Sequence, residues 1–167
     1  MARPGRPNKT DPRMENVSYD IEKGNNDKVM KLLSEFGIDS CDSYLRTPLM
    51  WATFYNNIEL LDLLIKNGAN MNHQDRNGYC ALHFAGQQKH FDSAKLLIDN
   101  GANINLTDIH GNSPISTAIF NSKGDYKLVR LYVLNGADLD IENKHNMTSR
   151  KLAETIAGFD LNSIKQD

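Results

Sequence analysis

Several features that would announce a chemistry are scarce in this sequence. Its two cysteines, Cys41 and Cys80, stand 39 residues apart without a pairing pattern. That argues against a disulfide scaffold and fits reduced thiols in a cytoplasmic protein. Long apolar runs are missing too. Leu60-Leu61 and Leu63-Leu64-Ile65 are separated by Asp62, so nothing reads as a membrane span. No apolar core follows the basic start, so no secretory signal peptide is expected. The histidines are His73, His83, His90, His110 and His145. His83 and His90 are seven apart, as are His73 and Cys80, and seven is not a zinc-ligand spacing. The glycines at Gly68 and Gly78 have no phosphate-loop lysine and no G-x-G-x-x-G spacing. Charge of one sign is scarce as well, with a net −2 at neutral pH. Arg3, Arg6, Lys9 and Arg13 against Asp11 give residues 1–13 a charge of +3, so the remainder carries −5. A mildly acidic body argues against nucleic acid as the main partner.

What is present is a repeat. Asn67-Gly68-Ala69-Asn70 returns as Asn100-Gly101-Ala102-Asn103 and as Asn135-Gly136-Ala137-Asp138, with glycine spacings of 33 and 35. Asp75-x-x-Gly78-x-Cys80-Ala81-Leu82-His83 returns as Asp108-x-x-Gly111-x-Ser113-Pro114-Ile115-Ser116. Upstream it reads Asp42-x-x-Leu45-x-Thr47-Pro48-Leu49-Met50. A 33-residue period carrying T-P-L-H-like text resembles the ankyrin-repeat family from about Val17 to Lys165. The resemblance implies an all-α ankyrin-repeat solenoid of about five helix-turn-helix repeats, two caps around three internal units, with hairpin loops. One repeat has too little core to stand alone, so stability comes from stacking.

Taken in order, Met1 to Arg13 holds Pro4, Pro7 and Pro12 and almost nothing apolar. It reads as a flexible basic tail over 1–13, with the repeat domain over 14–167. Either Met1 or Met14 serves as a start on this reading. Val17 to Gly37 predicts two short helices joined at Gly24-Asn25-Asn26, a degenerate first repeat. The following connector is short: Gly37 to Thr47 is 10 residues, against 12 from Gly68 to Cys80 and from Gly101 to Ser113. With Leu45 where the others have glycine, the turn before Thr47 is expected to differ in shape. Thr47 is placed to cap a helix with Pro48 in its first turn. Leu49 and Ala52 face the core, followed by a stripe of Ile58, Leu61, Leu64 and Ile65. Cys80 replaces the capping hydroxyl in the next unit. The third internal unit gains two residues, most simply Ser122-Lys123. Thr148 to Lys165 closes the array, with a second helix cut short from about Phe159.

The resemblance places His83 in a slot where the ring bridges backbone groups of adjacent repeats, ahead of any catalytic role. Cys80 beside His83 reads as a packed thiol rather than a nucleophile with its base. No catalytic, cofactor-binding or metal-binding residues are assigned, and no enzyme activity is expected. The family implies a protein-binding module that works with its concave face and hairpin tips. On this chain those slots hold Tyr44, Arg46, Arg76, Asn77, Tyr79, His110 and Asn112 at the tips. Phe54, Tyr55, Gln87 and Gln88 end the first helices, with Phe120, Asn121 and the Ser122-Lys123 insertion further along. Tyr and Arg often anchor interfaces, and these slots are taken as dispensable for folding. Trp51 and Phe84 either face the groove or pack between successive helices. The expected partner is a protein of unknown identity, with no nucleic acid and no membrane, bound by a monomer. Inhibition or masking is the leading expectation. The chain also resembles small bacterial ankyrin proteins, including immunity partners of toxins, at Gly124-Asp125-Tyr126 and Ala153-Glu154-Thr155-Ile156-Ala157. A passive scaffold tethering two partners is the alternative.

Overall fold

The periodic stretches become helices whose ends are set by the residues that flank them. The computed structural model describes residues 11–157 and 161. Within these, ten helices follow one another: α1 Pro12–Glu15, α2 Val17–Glu22, α3 Asn26–Phe36, α4 Pro48–Phe54, α5 Ile58–Lys66, α6 Ala81–Gln88, α7 Phe91–Asp99, α8 Pro114–Asn121, α9 Lys127–Leu134 and α10 Ser149–Ala157. Residues 1–10 of the expected tail, and the second helix expected from about Phe159, lie outside the described residues. Arg13 belongs to α1, where it bonds the Asp11 carboxylate and lies 4.4 Å over the Phe36 ring.

Helix starts are built as the local chemistry requires. Thr47 Oγ1 accepts the Met50 N–H at 3.4 Å, and Pro48 needs no donor in the first turn of α4. Asn57 caps α5 by accepting the Leu60 N–H at 3.1 Å. At the far ends, Asn67, Asn100 and Asn135 each turn the side-chain amide back to the carbonyl four residues before, at 2.8 Å.

The pairs stack in two rows. The first helices α2, α4, α6, α8 and α10 pack in succession, as do α5, α7 and α9 behind them. One apolar core runs the length of the stack, from Met14 through Leu49, Leu61, Leu82, Leu97 and Ile115 to Leu161. In the α5 stripe Leu60 is fully buried with Leu61 and Leu64, while Ile58 and Ile65 are half-buried. Helices α6 and α8 approach closely at Gly86. A Cβ on Gly86 would meet the Pro114 carbonyl oxygen at 3.0 Å and the Ala118 nitrogen at 3.2 Å, so this interior helix position suits glycine. Tyr132 of α9 is fully buried and donates its hydroxyl to the Leu82 carbonyl at 2.7 Å.

Four fingers project from the stack between the helix pairs. In each, one Asx carboxylate or amide oxygen gathers the N–H groups two and four residues on. Asp42 accepts from Tyr44 and Arg46, Asp75 from Asn77 and Tyr79, Asp108 from His110 and Asn112, and Asn143 from His145 and Met147. Successive fingers are tied by main-chain bonds: Arg76 N–H to Tyr44 O at 3.1 Å, Ile109 N–H to Asn77 O at 3.0 Å, and Lys144 N–H to His110 O at 2.8 Å.

The first finger corrects the expectation of a different turn. Leu45 adopts φ +62°, in the same left-handed region as Gly78 at +75° and Gly111 at +86°. Its N–H donates to Asp42 O at 2.9 Å, as Gly78 N–H does to Asp75 O and Gly111 N–H to Asp108 O. Asp42 to Thr47 spans the same number of residues as Asp75 to Cys80, so the shortening lies before Asp42 and the turn keeps its shape. The tie to the next finger, together with the Asx bonds, holds a leucine where glycine is easier.

Candidate functional site

The inner helices and finger stems present a continuous set of rings across the first two internal repeats. Trp51 stacks on Tyr55 (centroids 5.8 Å, 18° between planes) and meets Phe54 edge-on at 5.6 Å. Phe54 in turn meets Phe84 at 6.1 Å, and Phe84 meets Tyr79 at 5.7 Å, both edge-on. Tyr79 stacks on His83 at 4.9 Å. Arg46 closes the other end, its guanidinium 4.3 Å from the Trp51 ring centre and 4.8 Å from that of Tyr44. Asp42 fixes this arginine at 2.8 Å and accepts the Trp51 indole N–H at 3.3 Å. Cation–ring geometry of this kind holds an arginine flat against the cluster.

These contacts decide how much of each expected residue remains outside. Tyr44 is 49% exposed. Trp51, Phe54 and Tyr55 are half-buried, while Phe84 is buried against Phe54 and Tyr79. Trp51 and Phe84 thus resolve differently, the first shared between packing and surface, the second inside. Arg76 is drawn back to donate to the Ser43 carbonyl at 2.8 Å. Asn77 and His110 are exposed at the tips, Gln87 is exposed at the end of α6, and Gln88 is half-buried. Asn112 bonds Asp108 and accepts from Asn143 at 2.7 Å.

Tyr79 departs from the expectation that these slots are dispensable for folding. It is half-buried, stacks on His83 and meets Phe84 edge-on. Burial, with Asp108 nearby, pushes its phenol above the ordinary range. The ring belongs to the junction between repeats as well as to the face.

A groove the sequence reading did not single out opens beside this cluster. It has a volume of about 210 Å³ and lies between the third and fourth fingers and helices α8 and α10. Its apolar walls are Tyr79, Phe120, Met147 and Leu152, with Phe120 67% exposed. Its polar walls are neutral: Asn112, Ser116, Thr117, Asn121, Asn143 and Thr148. Asn121 already donates to Thr117 O and Asn143 to Asn112 Oδ1. The signals available in the sequence were Tyr79, Asn112 and Met147 in tip slots and Phe120 and Asn121 in a helix-end slot; Thr117 and Leu152 carried none.

The Cys80–His83 pair is built for structure. His83 is buried, accepts the Cys80 N–H on Nδ1 at 3.2 Å, and through Nε2 donates to the Asn112 carbonyl of the next repeat at 3.0 Å. The Cys80 sulfur lies 3.1 Å from Nδ1, yet burial raises its thiol to about 11. A thiol with that value is protonated at neutral pH and is a poor nucleophile. Two other histidines also bond across repeats, His73 to the Leu45 carbonyl and His90 to the Thr53 carbonyl. Among the described residues no group of three His, Cys, Asp or Glu could hold a metal ion, and no helix is long and apolar enough to cross a membrane.

A family profile for ankyrin repeats matches residues 17–108 and 56–143 in overlapping copies. An ankyrin repeat protein of Variola virus is 28% identical over 137 residues, covering 80% of this chain and 24% of the relative. The Notch-regulated ankyrin repeat-containing protein of Homo sapiens is 34% identical over 77 residues, 43% of this chain and 68% of that protein. Inversin of Gallus gallus is 29% identical over 111 residues, 66% of this chain and 10% of its own length. The chain thus spans about a quarter of the viral relative.

Proposed function

Because this chain belongs to the ankyrin-repeat family, whose stacked helices form a protein–protein interaction module, we propose that it inhibits or masks one protein partner by covering the partner's surface. The concave side and the fingertips are the contact face. Residues 14–167 act as the binding unit, as a cytoplasmic monomer, with 1–13 as its tail. Immunity toward a toxin is the specific form of inhibition proposed.

The observation that carries this reading is the ring cluster from Tyr44 and Arg46 through Trp51, Phe54 and Tyr55 to Tyr79, continuous over two repeats. Aromatic and arginine side chains that are already held by neighbours lose little conformational freedom on binding, which favours them as anchors. The adjoining groove, with neutral and internally bonded polar walls, suits an uncharged apolar side chain of the partner.

The test is recovery of the chain from its native cells, identification of the co-purifying protein, and assay of that protein's activity as the chain is titrated in. An inhibitor abolishes the activity at a stoichiometric amount. Full activity in the saturated complex would replace inhibition by tethering. A partner bound equally well by the Tyr44→Ala and Tyr55→Ala variants would remove the contact face proposed.

A further inference from the structure

We propose that Asn77-Gly78, at the tip of the second finger, is a site of spontaneous deamidation, and that the fold directs the reaction there and away from three equivalent sequences. The chain has four Asn-Gly pairs, at Asn67, Asn77, Asn100 and Asn135, and all four asparagines are exposed. Glycine after asparagine leaves the attacking backbone nitrogen unhindered, so each pair is chemically competent.

The reaction needs only water. The Gly78 backbone nitrogen loses its proton to solvent base and attacks Asn77 Cγ. The new N–Cγ bond forms, the Cγ–Nδ2 bond breaks, and ammonia leaves carrying a proton from solvent. The resulting five-membered succinimide adds water at one of its two carbonyls and opens to aspartate or isoaspartate.

The attacking nitrogen is in a comparable state at all four sites. The glycine N–H donates to Asp75 O at 2.9 Å at position 78, and to Ile65 O, Ile98 O and Val133 O at 2.9, 2.9 and 3.2 Å at the others. What differs is the leaving amide. Asn67, Asn100 and Asn135 donate Nδ2 to Leu63 O, Leu96 O and Leu131 O at 2.8 Å, which holds the side chain back over the helix end. The Asn77 amide has no hydrogen-bond partner among the described residues; the finger's Asx role belongs to Asp75, which takes the Asn77 N–H at 2.8 Å. Its Cγ is therefore free to swing toward the Gly78 nitrogen.

The product changes the face. Aspartate places a carboxylate next to Arg76 in the chain, on the finger tied to Ile109. Isoaspartate adds a methylene to the main chain where there is no room for it: even a Cβ on Gly78 would sit 2.8 Å from the Ile109 nitrogen. The Ile109 N–H to Asn77 O bond between fingers is then lost. This consequence for binding rests on the contact face proposed above; the chemical step does not.

The test is ageing of the full chain at mildly alkaline pH, well below its melting temperature, with peptide mass spectrometry at intervals. Asn77 should lose its amide about fivefold or more faster than each of the other three, the factor set by one hydrogen bond that must break first. In denaturant the four rates should converge, since the fold no longer distinguishes them. An Asn77 rate no faster than the fastest of the others in the folded chain would overturn the proposal. So would the same fivefold preference in denaturant, which would assign it to local sequence. The Asn77→Gln variant should leave the other three rates unchanged.

Discussion

At position 83 only a neutral imidazole fits. Nδ1 must accept the Cys80 N–H while Nε2–H reaches the Asn112 carbonyl, and burial lowers the ring below its ordinary value of 6.5. The unfolded chain therefore binds a proton below about pH 6.5 that the folded chain refuses. Stability should be full above that pH and fall as the pH drops below it, by up to about 1.4 kcal/mol per pH unit, levelling once the folded ring also protonates. Asp75, whose carboxyl burial raises, works in the opposite sense at the lower pH of carboxylate titration. Urea midpoints measured from about pH 7.5 to about 5.5 should show this slope, reduced in His83→Gln. Equal slopes in the two proteins would remove His83 as its source. Beside it, Cys80→Thr should raise stability by about 0.5–1 kcal/mol, because a hydroxyl is the better acceptor for the N–H groups that start α6. A lower denaturation midpoint in that variant would show that the buried thiol is preferred where it packs.

The finger is the element that shows how tertiary ties override local preference. Leu45 holds a left-handed conformation that disfavours side chains, because the Asp42 oxygens and the Tyr44–Arg76 bond impose the turn. Leu45→Gly should therefore stabilise by about 0.5–1 kcal/mol, since relief of strain exceeds the loss of a half-buried side chain. Gly78 has the converse problem. Its φ is positive and an added Cβ would overlap the backbone of Asp108 and Ile109. Gly78→Ala should cost about 2–4 kcal/mol from strain and overpacking together. Gly68 has the same sign of φ but open space around it, so Gly68→Ala should cost only about 1–2 kcal/mol. Chemical denaturation of the three variants checks the order; a Gly68→Ala loss as large as that of Gly78→Ala would discount the contact between fingers.

Over the whole stack, folding and binding draw on the same rings to different degrees. On the proposed contact face Tyr44 and Phe120 are the rings left largely outside, at 49% and 67% exposure, whereas Tyr79 is packed against His83 and Phe84. Tyr44→Ala and Phe120→Ala should leave the melting temperature nearly unchanged and weaken partner binding, by about 2 kcal/mol for an anchor residue. Tyr79→Ala should lower stability as well as affinity. Lys66→Ala and Lys95→Ala, on the outer row of helices where each lysine only pairs with its own helix, should change neither. Titration calorimetry against the identified partner, beside thermal melts, separates these classes. Undiminished affinity in the Tyr44→Ala, Phe120→Ala double variant would move the contact off the concave face.

The repeat period, the helix pairs, the Thr47 cap and the glycine stops could all be read from the sequence. Each depends on residues within one unit: periodic apolar positions, a capping side chain, a left-handed glycine. The bridging role of His83 was legible for the same reason, through the motif around it. The shape of the Leu45 turn, the withdrawal of Arg76 onto Ser43, the load carried by Tyr79 and the groove beside Phe120 were not. Those were decided by contacts between units, since Arg76 meets Ser43 and Tyr79 meets Thr117 only after repeats about 33 residues apart in the chain have stacked. A side chain's slot in the motif says which way it points. Whether it stays exposed depends on what the next repeat places against it.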